Sequence, residues 1–115
     1  MNNAEQLQQL EVSLDQAKEA VALKQAVLDL SKNKNFKKVV NDGYFKEEAA
    51  RLVLIKSDDN MQEEDKQKSI GRQIDAVGTF RQYLATQIAL GNMAERAIEA
   101  DENTREEILE EDLSE

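Results

Sequence analysis

Residues 62–99 read QEEDKQKSIGRQIDAVGTFRQYLATQIALGNMAERAIE. No proline interrupts them, and the large apolar residues Ile70, Ile74, Val77, Leu84, Ile88 and Ile98 return at helical spacing. The stretch predicts one long helix from about Gln62 to about Glu99. At about 1.5 Å per residue it would be roughly 55 Å long, more than the width of a small domain. The rest of a 115-residue chain is too short to cover such a helix on all sides. The helix therefore implies a protruding arm or a partner chain.

Composition points the same way. Proline is absent throughout and only four glycines occur, so helices are free to run long. Charged residues at 34% and apolar residues at 40% suit elongated helices with wide solvent-facing sides. These observations predict an all-α chain of a single domain, with a long N-terminal helix, two short helices and one long C-terminal helix. Residues 1–98 would form the helical domain and residues 99–115 an acidic C-terminal extension, helical to about Asp112, or tail. Without cysteine or histidine, disulfides, thiolate or imidazole zinc sites, cysteine nucleophiles and histidine triads are excluded. No apolar run approaches the roughly 20 residues of a membrane span, and Met1-Asn2-Asn3-Ala4-Glu5 lacks the basic flank and apolar core of a secretion signal. A soluble intracellular protein without membrane attachment is expected.

The net charge of −9 is unevenly placed. Residues 1–60 carry nine basic and ten acidic side chains, and residues 61–94 carry four of each. From Glu95 onward ten acids face only Arg96 and Arg105, so nearly all the excess sits at the C-terminal end. Direct nucleic-acid binding is not expected, because phosphate contacts need clustered lysine and arginine.

In the first helix, from about Asn3 to about Leu30, Leu7, Leu10, Leu14, Ala17 and Val21 succeed one another at intervals of three and four. A second line, Ala20, Leu23, Val27 and Leu30, is shifted around the helix. A coiled-coil seam and an ordinary amphipathic helix with a drifting face fit this pattern equally, since two heptads do not decide. Ser31–Asn35 is the first break, where Asn35 can cap a short helix from Phe36 to Asn41. Asp42-Gly43 should end it through a positive-φ residue. Lys32, Lys34, Lys37 and Lys38 are the only basic cluster, either a solvated rim or a partner for an acidic segment. A second short helix, about Phe45 to Lys56, is apolar on most sides and should be the most buried element. Ser57–Asn60 is the second break, with an aspartate to cap the long helix and Met61 to staple onto it.

Gly71, Gly78 and Ala85 recur every seven residues on the long helix. A glycine inside a helix costs about 1 kcal/mol against alanine, so two in register suggest either a close crossing by another helix or tolerated bends. The candidate interface is accordingly Gly71, Ile74, Val77, Gly78, Arg81, Leu84, Ala85 and Ile88. Arg72, Arg81 and Arg96 are candidate interchain partners. Tyr44 and Phe45, at a turn beside the lysines, are either partner anchors or plugs for a helix junction.

No catalytic, metal or cofactor site is expected. A metal site would have to rest on carboxylates alone, with helical glutamate pairs such as Glu47/Glu48 or Glu106/Glu107 beside Glu110/Glu111. Adjacent helical residues point about 100° apart and do not converge, and di-metal carboxylate bundles usually add Glu-x-x-His motifs. None of the glycines forms a phosphate-binding loop.

Two segments together, Asn35-Phe36-Lys37-Lys38-Val39-Val40 through Asp42-Gly43-Tyr44-Phe45-Lys46-Glu47-Glu48-Ala49-Ala50-Arg51-Leu52-Val53, and Ile74-Asp75-Ala76-Val77-Gly78-Thr79-Phe80-Arg81-Gln82-Tyr83-Leu84, resemble a family of small, acidic, all-helical proteins encoded by tailed bacteriophages. The resemblance covers most of the chain, including residues 93–98 and the glutamate-rich end. It implies a bacterial host cytoplasm, with incorporation in the virion as an alternative, and a role in a phage programme. It carries no catalytic residue. Two functions are compatible with these features: a homo-oligomeric structural or assembly component of virion morphogenesis, scaffold or adaptor, and an acidic DNA-mimic inhibitor of a host nucleic-acid enzyme or defence protein.

Overall fold

The computed structural model describes residues 2–114, and every regular element among them is helical. Helix α1 spans Asn3–Lys32, α2 Lys34–Phe36, a π-helical stretch (π1) Lys37–Glu48, α3 Ala49–Lys56, a single 3-10 turn Asp59–Met61, and α4 Glu64–Ser114. The all-α class with long first and last helices is the one the sequence predicts. Helix α4 has 51 residues and continues through the acidic segment without a break at residue 98.

Local chemistry sets the boundaries. Asn2 Oδ1 accepts from the Glu5 N–H at 2.8 Å and starts α1. The next cap is Asn33, not Asn35: its Oδ1 accepts from the Phe36 N–H at 3.0 Å. Asp58 Oδ1 accepts from the Asn60 N–H at 2.8 Å and begins the 3-10 turn. The Lys56 carbonyl left over at the end of α3, and those of Asp58 and Met61 in the turn that follows, accept from side-chain amides. Gln62 Nε2 donates to the carbonyls of Lys56 and Asp58 at 3.0 and 2.7 Å, and Gln67 Nε2 to those of Lys56 and Met61 at 2.9 and 2.7 Å.

Asp42-Gly43 does not end a helix. No described residue has positive φ, and α2, π1 and α3 succeed one another without interruption. Gly43 is used differently. A Cβ there would stand 3.1 Å from the Lys38 carbonyl oxygen, five residues back, which is the acceptor position of a π turn. The glycine thus spares the turn a tight contact with its own backbone.

The described chain divides into two compact units. One joins the residues up to Val27 with those from Gln87 onward; the other is Leu28–Thr86. In the first, the paired-helix unit, α1 and α4 run antiparallel. Lys24 Nζ pairs with Glu95 at 2.8 Å, Ser13 Oγ donates to Asp101 at 2.8 Å, Arg105 donates to Glu11 at 2.9 Å, and Asn3 Nδ2 donates to Asp112. Leu14, Val27, Ala94 and Ile108 are its buried apolar side chains.

Burial on α1 runs along Leu7, Leu10, Leu14, Ala17 and Val21, as the heptad-like spacing predicts. It then passes through half-buried Lys24 to buried Val27 of the second line and half-buried Leu28, while Leu23 and Leu30 are 42% and 46% exposed. A lysine fits there because of Gly91. A Cβ on Gly91 would lie 2.3 Å from Lys24 Cβ and 2.8 and 2.7 Å from its Cγ and Cδ. The lysine stem occupies the space a side chain would fill, and its ammonium reaches Glu95 at the edge.

In the mid-chain unit, Leu52, Ile70 and Val77 form the buried cluster, with Tyr44, Phe45, Ala49, Ile55, Met61 and Ile74 packed around it. Helix α3 is not buried on most sides. Leu52 is 2% exposed, but its neighbours Val53 and Leu54 are 56% and 71% exposed. Two helical layers cover only one stripe of a helix this apolar.

Candidate interaction surface

The π turn decides what the mid-chain unit presents. Adjacent side chains on an α-helix diverge by about 100°; a wider turn brings them closer in direction. Tyr44 and Phe45 are adjacent, yet both pack on the core and both meet Phe80 of α4, with ring centroids 6.3 and 5.5 Å away. Their own rings lie 5.9 Å apart. The trio is tilted rather than stacked, the arrangement ring quadrupoles favour. Both residues are half-buried, so they seal the junction between π1 and α4.

Beside this trio lies a hollow of about 330 Å³ lined by Asn41, Phe45, Lys46 and Arg81. Asn41 and Lys46 are five residues apart on π1, one π turn, and so share a side of it. Lys46 pairs with Asp42 only at 3.7 Å and is largely exposed. Arg81 is exposed and enters no ion pair among the described residues. The hollow therefore offers a guanidinium, an ammonium and an amide around one aromatic ring. Such a set suits a carboxylate carried next to an apolar group. A second hollow, of about 430 Å³, is lined by Val39, Val40, Gly43, Tyr44 and Glu48 and is mainly apolar. At its edge Arg51 donates to Glu48 and holds that carboxyl below its ordinary value.

The eight interface residues read from the sequence separate into three groups. Val77 is buried and Ile74 half-buried in the unit's own core. Leu84, Ile88 and Gly71 are half-buried. Gly78, Arg81 and Ala85 lie on the open surface, and a Cβ on either Gly71 or Gly78 would meet nothing within 4 Å. Gly78→Ala is therefore expected to stabilise the isolated chain by about 1 kcal/mol, the helix-propensity difference, since nothing in the chain opposes the methyl. A raised thermal midpoint at high dilution checks this.

The lysine cluster is solvated: Lys32, Lys34, Lys37 and Lys38 are all exposed and none forms an ion pair among the described residues. Arg72 and Arg96 are likewise exposed and without an ion pair there. Among the described residues no three acidic side chains converge to hold a metal, and no helix is long and apolar enough to cross a membrane. The residues that sequence reasoning missed are Lys24, Gly91 and Asn41. Gly91 stands one position off the Gly71–Gly78–Ala85 line; its place between Ile88 and Ala94 on the buried stripe of α4 was the available sign.

Comparison with models of known families, with curated proteins and with solved structures finds no match, so no activity or partner reaches this chain from a relative.

Proposed function

We propose that this chain is a non-enzymatic interaction protein of a tailed-phage programme, a homo-oligomer that serves virion morphogenesis as a scaffold or adaptor. One observation carries the reading. The paired-helix unit consists of two helices with four buried apolar side chains, and it leaves Leu23, Leu90 and Met93 exposed. Two helices alone cannot enclose a core; helices from a second copy would complete a bundle over these residues. Exposed Val53 and Leu54 add to the uncovered apolar surface of the mid-chain unit. Open space over Gly71 and Gly78 leaves α4 accessible for a close crossing. Light scattering at tens of micromolar should return a multiple of the 13.0 kDa chain mass; a strictly monomeric mass ends the proposal. Gly78→Leu should weaken the association while leaving helicity intact.

The acidic outer side of α4, with Glu106, Glu107, Glu110 and Glu111 all exposed, favours the second reading, an inhibitor imitating nucleic acid. Capture from infected bacterial cells separates the two. Capsid or portal proteins support assembly; nucleases or a polymerase support inhibition.

A further inference from the structure

We infer that the cationic hollow of the mid-chain unit receives the acidic end of α4 from a second copy, making a head-to-tail contact in addition to the bundle proposed above. The inference deepens that reading and rests on the chain associating with itself. The mid-chain unit carries eleven basic and ten acidic residues, whereas the paired-helix unit carries four basic and fourteen acidic ones. One unit is therefore +1 and the other −10. Such a difference orients copies so that unlike ends meet.

The two surfaces also match in detail. At the receiving end, Arg81 has no carboxylate partner among the described residues, and Lys46 is held only loosely by Asp42. Asn41 adds an amide, and Phe45 adds an apolar wall to the same hollow. At the donating end, Glu106, Leu109, Glu110 and Leu113 recur at intervals of three, one and three, which places them on one side of α4. All four are exposed, Leu113 most of all at 87%. The opposite side of the same segment is occupied: Ile108 is buried, and Arg105 and Asp112 bond to Glu11 and Asn3 of α1. The end of α4 is thus held as a helix with its carboxylates and two leucines turned outward. A glutamate from that side suits the Arg81 guanidinium, and a leucine suits the Phe45 ring. Each copy has one receiving and one donating surface, so the contact is heterologous, and made between copies of different bundles it extends the assembly beyond the bundle into rings or filaments.

Sedimentation velocity on the full chain tests this. Species larger than the bundle should be present at about 0.05 M salt and be lost at about 0.5 M, where exposed charges are screened within a few ångströms. Arg81→Glu with Lys46→Glu should weaken formation of the larger species about tenfold or more, and so should Glu106→Lys with Glu110→Lys. All four residues are exposed, and retained helicity by circular dichroism certifies each variant. An equimolar mixture of the two charge-reversed chains should restore the larger species, because every interface in an alternating assembly is again complementary. Large species that resist salt or either reversal overturn the inference, as does a mixture that fails to restore them. A salt-insensitive dimer that Gly78→Leu disrupts, with nothing larger at low salt, overturns the head-to-tail contact and leaves the bundle standing. A monomer at every salt concentration ends both.

Discussion

Leu52→Ala is expected to destabilise the protein by about 3 kcal/mol, within the range for removing a buried leucine side chain. Leu52 is the one residue of α3 that the mid-chain unit buries, and it joins Ile70 and Val77 of α4 in a three-residue core. A small core has no spare contacts to redistribute. The removed methyl groups lose their transfer free energy and leave a cavity that rigid helices close only in part. Leu54→Ala, two positions along the same helix, removes the same atoms from a side chain that is 71% exposed and should change stability by no more than about 0.5 kcal/mol. Denaturant midpoints of the two variants measure the contrast. Equal effects would mean that Leu54 is covered in solution, which is itself a signature of self-association through α3.

That contrast also marks where sequence pattern stops being informative. Ala49-Ala50-Arg51-Leu52-Val53-Leu54-Ile55 is apolar nearly all round, and such a helix reads as buried. Burial, however, depends on how many elements are available to cover it, and this chain supplies few. Periodicity located every long helix because it is a local property: proline is absent, the apolar spacing is regular, and the caps lie close to where they act. The seam Leu7-Leu10-Leu14-Ala17-Val21 was legible for the same reason. The middle of the chain was less so. Asp42-Gly43 has the composition of a helix stop, and nothing local distinguishes a glycine at positive φ from one inside a π turn whose missing Cβ spares a tight contact with the backbone. The hollow beside Phe45 was beyond sequence reasoning altogether, since Arg81 reaches it from α4 and Asn41 from π1. Arg81 did stand out as a charge on an apolar stripe, and Phe45 as an aromatic at a junction; their meeting is a tertiary fact.

Gly91→Leu should cost about 3 kcal/mol, at the upper end of what overpacking usually does, even though it removes a helix-interior glycine. In isolation the substitution would gain roughly 0.8–1 kcal/mol of helix propensity. Against that stands a Cβ position only 2.3 Å from Lys24 Cβ, an atom fixed to the α1 backbone and not the movable end of a side chain. Any side chain here must push α1 off α4, and three partners go with it. The Lys24 stem loses its bed, its ammonium loses Glu95, and the burial of neighbouring Ala94 is opened. The seven-residue repeat Gly71–Gly78–Ala85 draws attention to the wrong glycines for this purpose, because a Cβ on Gly71 or Gly78 meets nothing. Within one chain the close crossing belongs to Gly91. Thermal unfolding of Gly91→Leu and Gly78→Leu at high dilution separates the two roles: the first should lower the midpoint by about 10 °C or more, taking roughly 4–8 °C per kcal/mol for a small domain, and the second should leave it unchanged or slightly raised. A Gly91→Leu chain that keeps its midpoint would show that α1 does not cross α4 at Lys24 in solution, and the antiparallel pairing of the two helices would have to be redrawn.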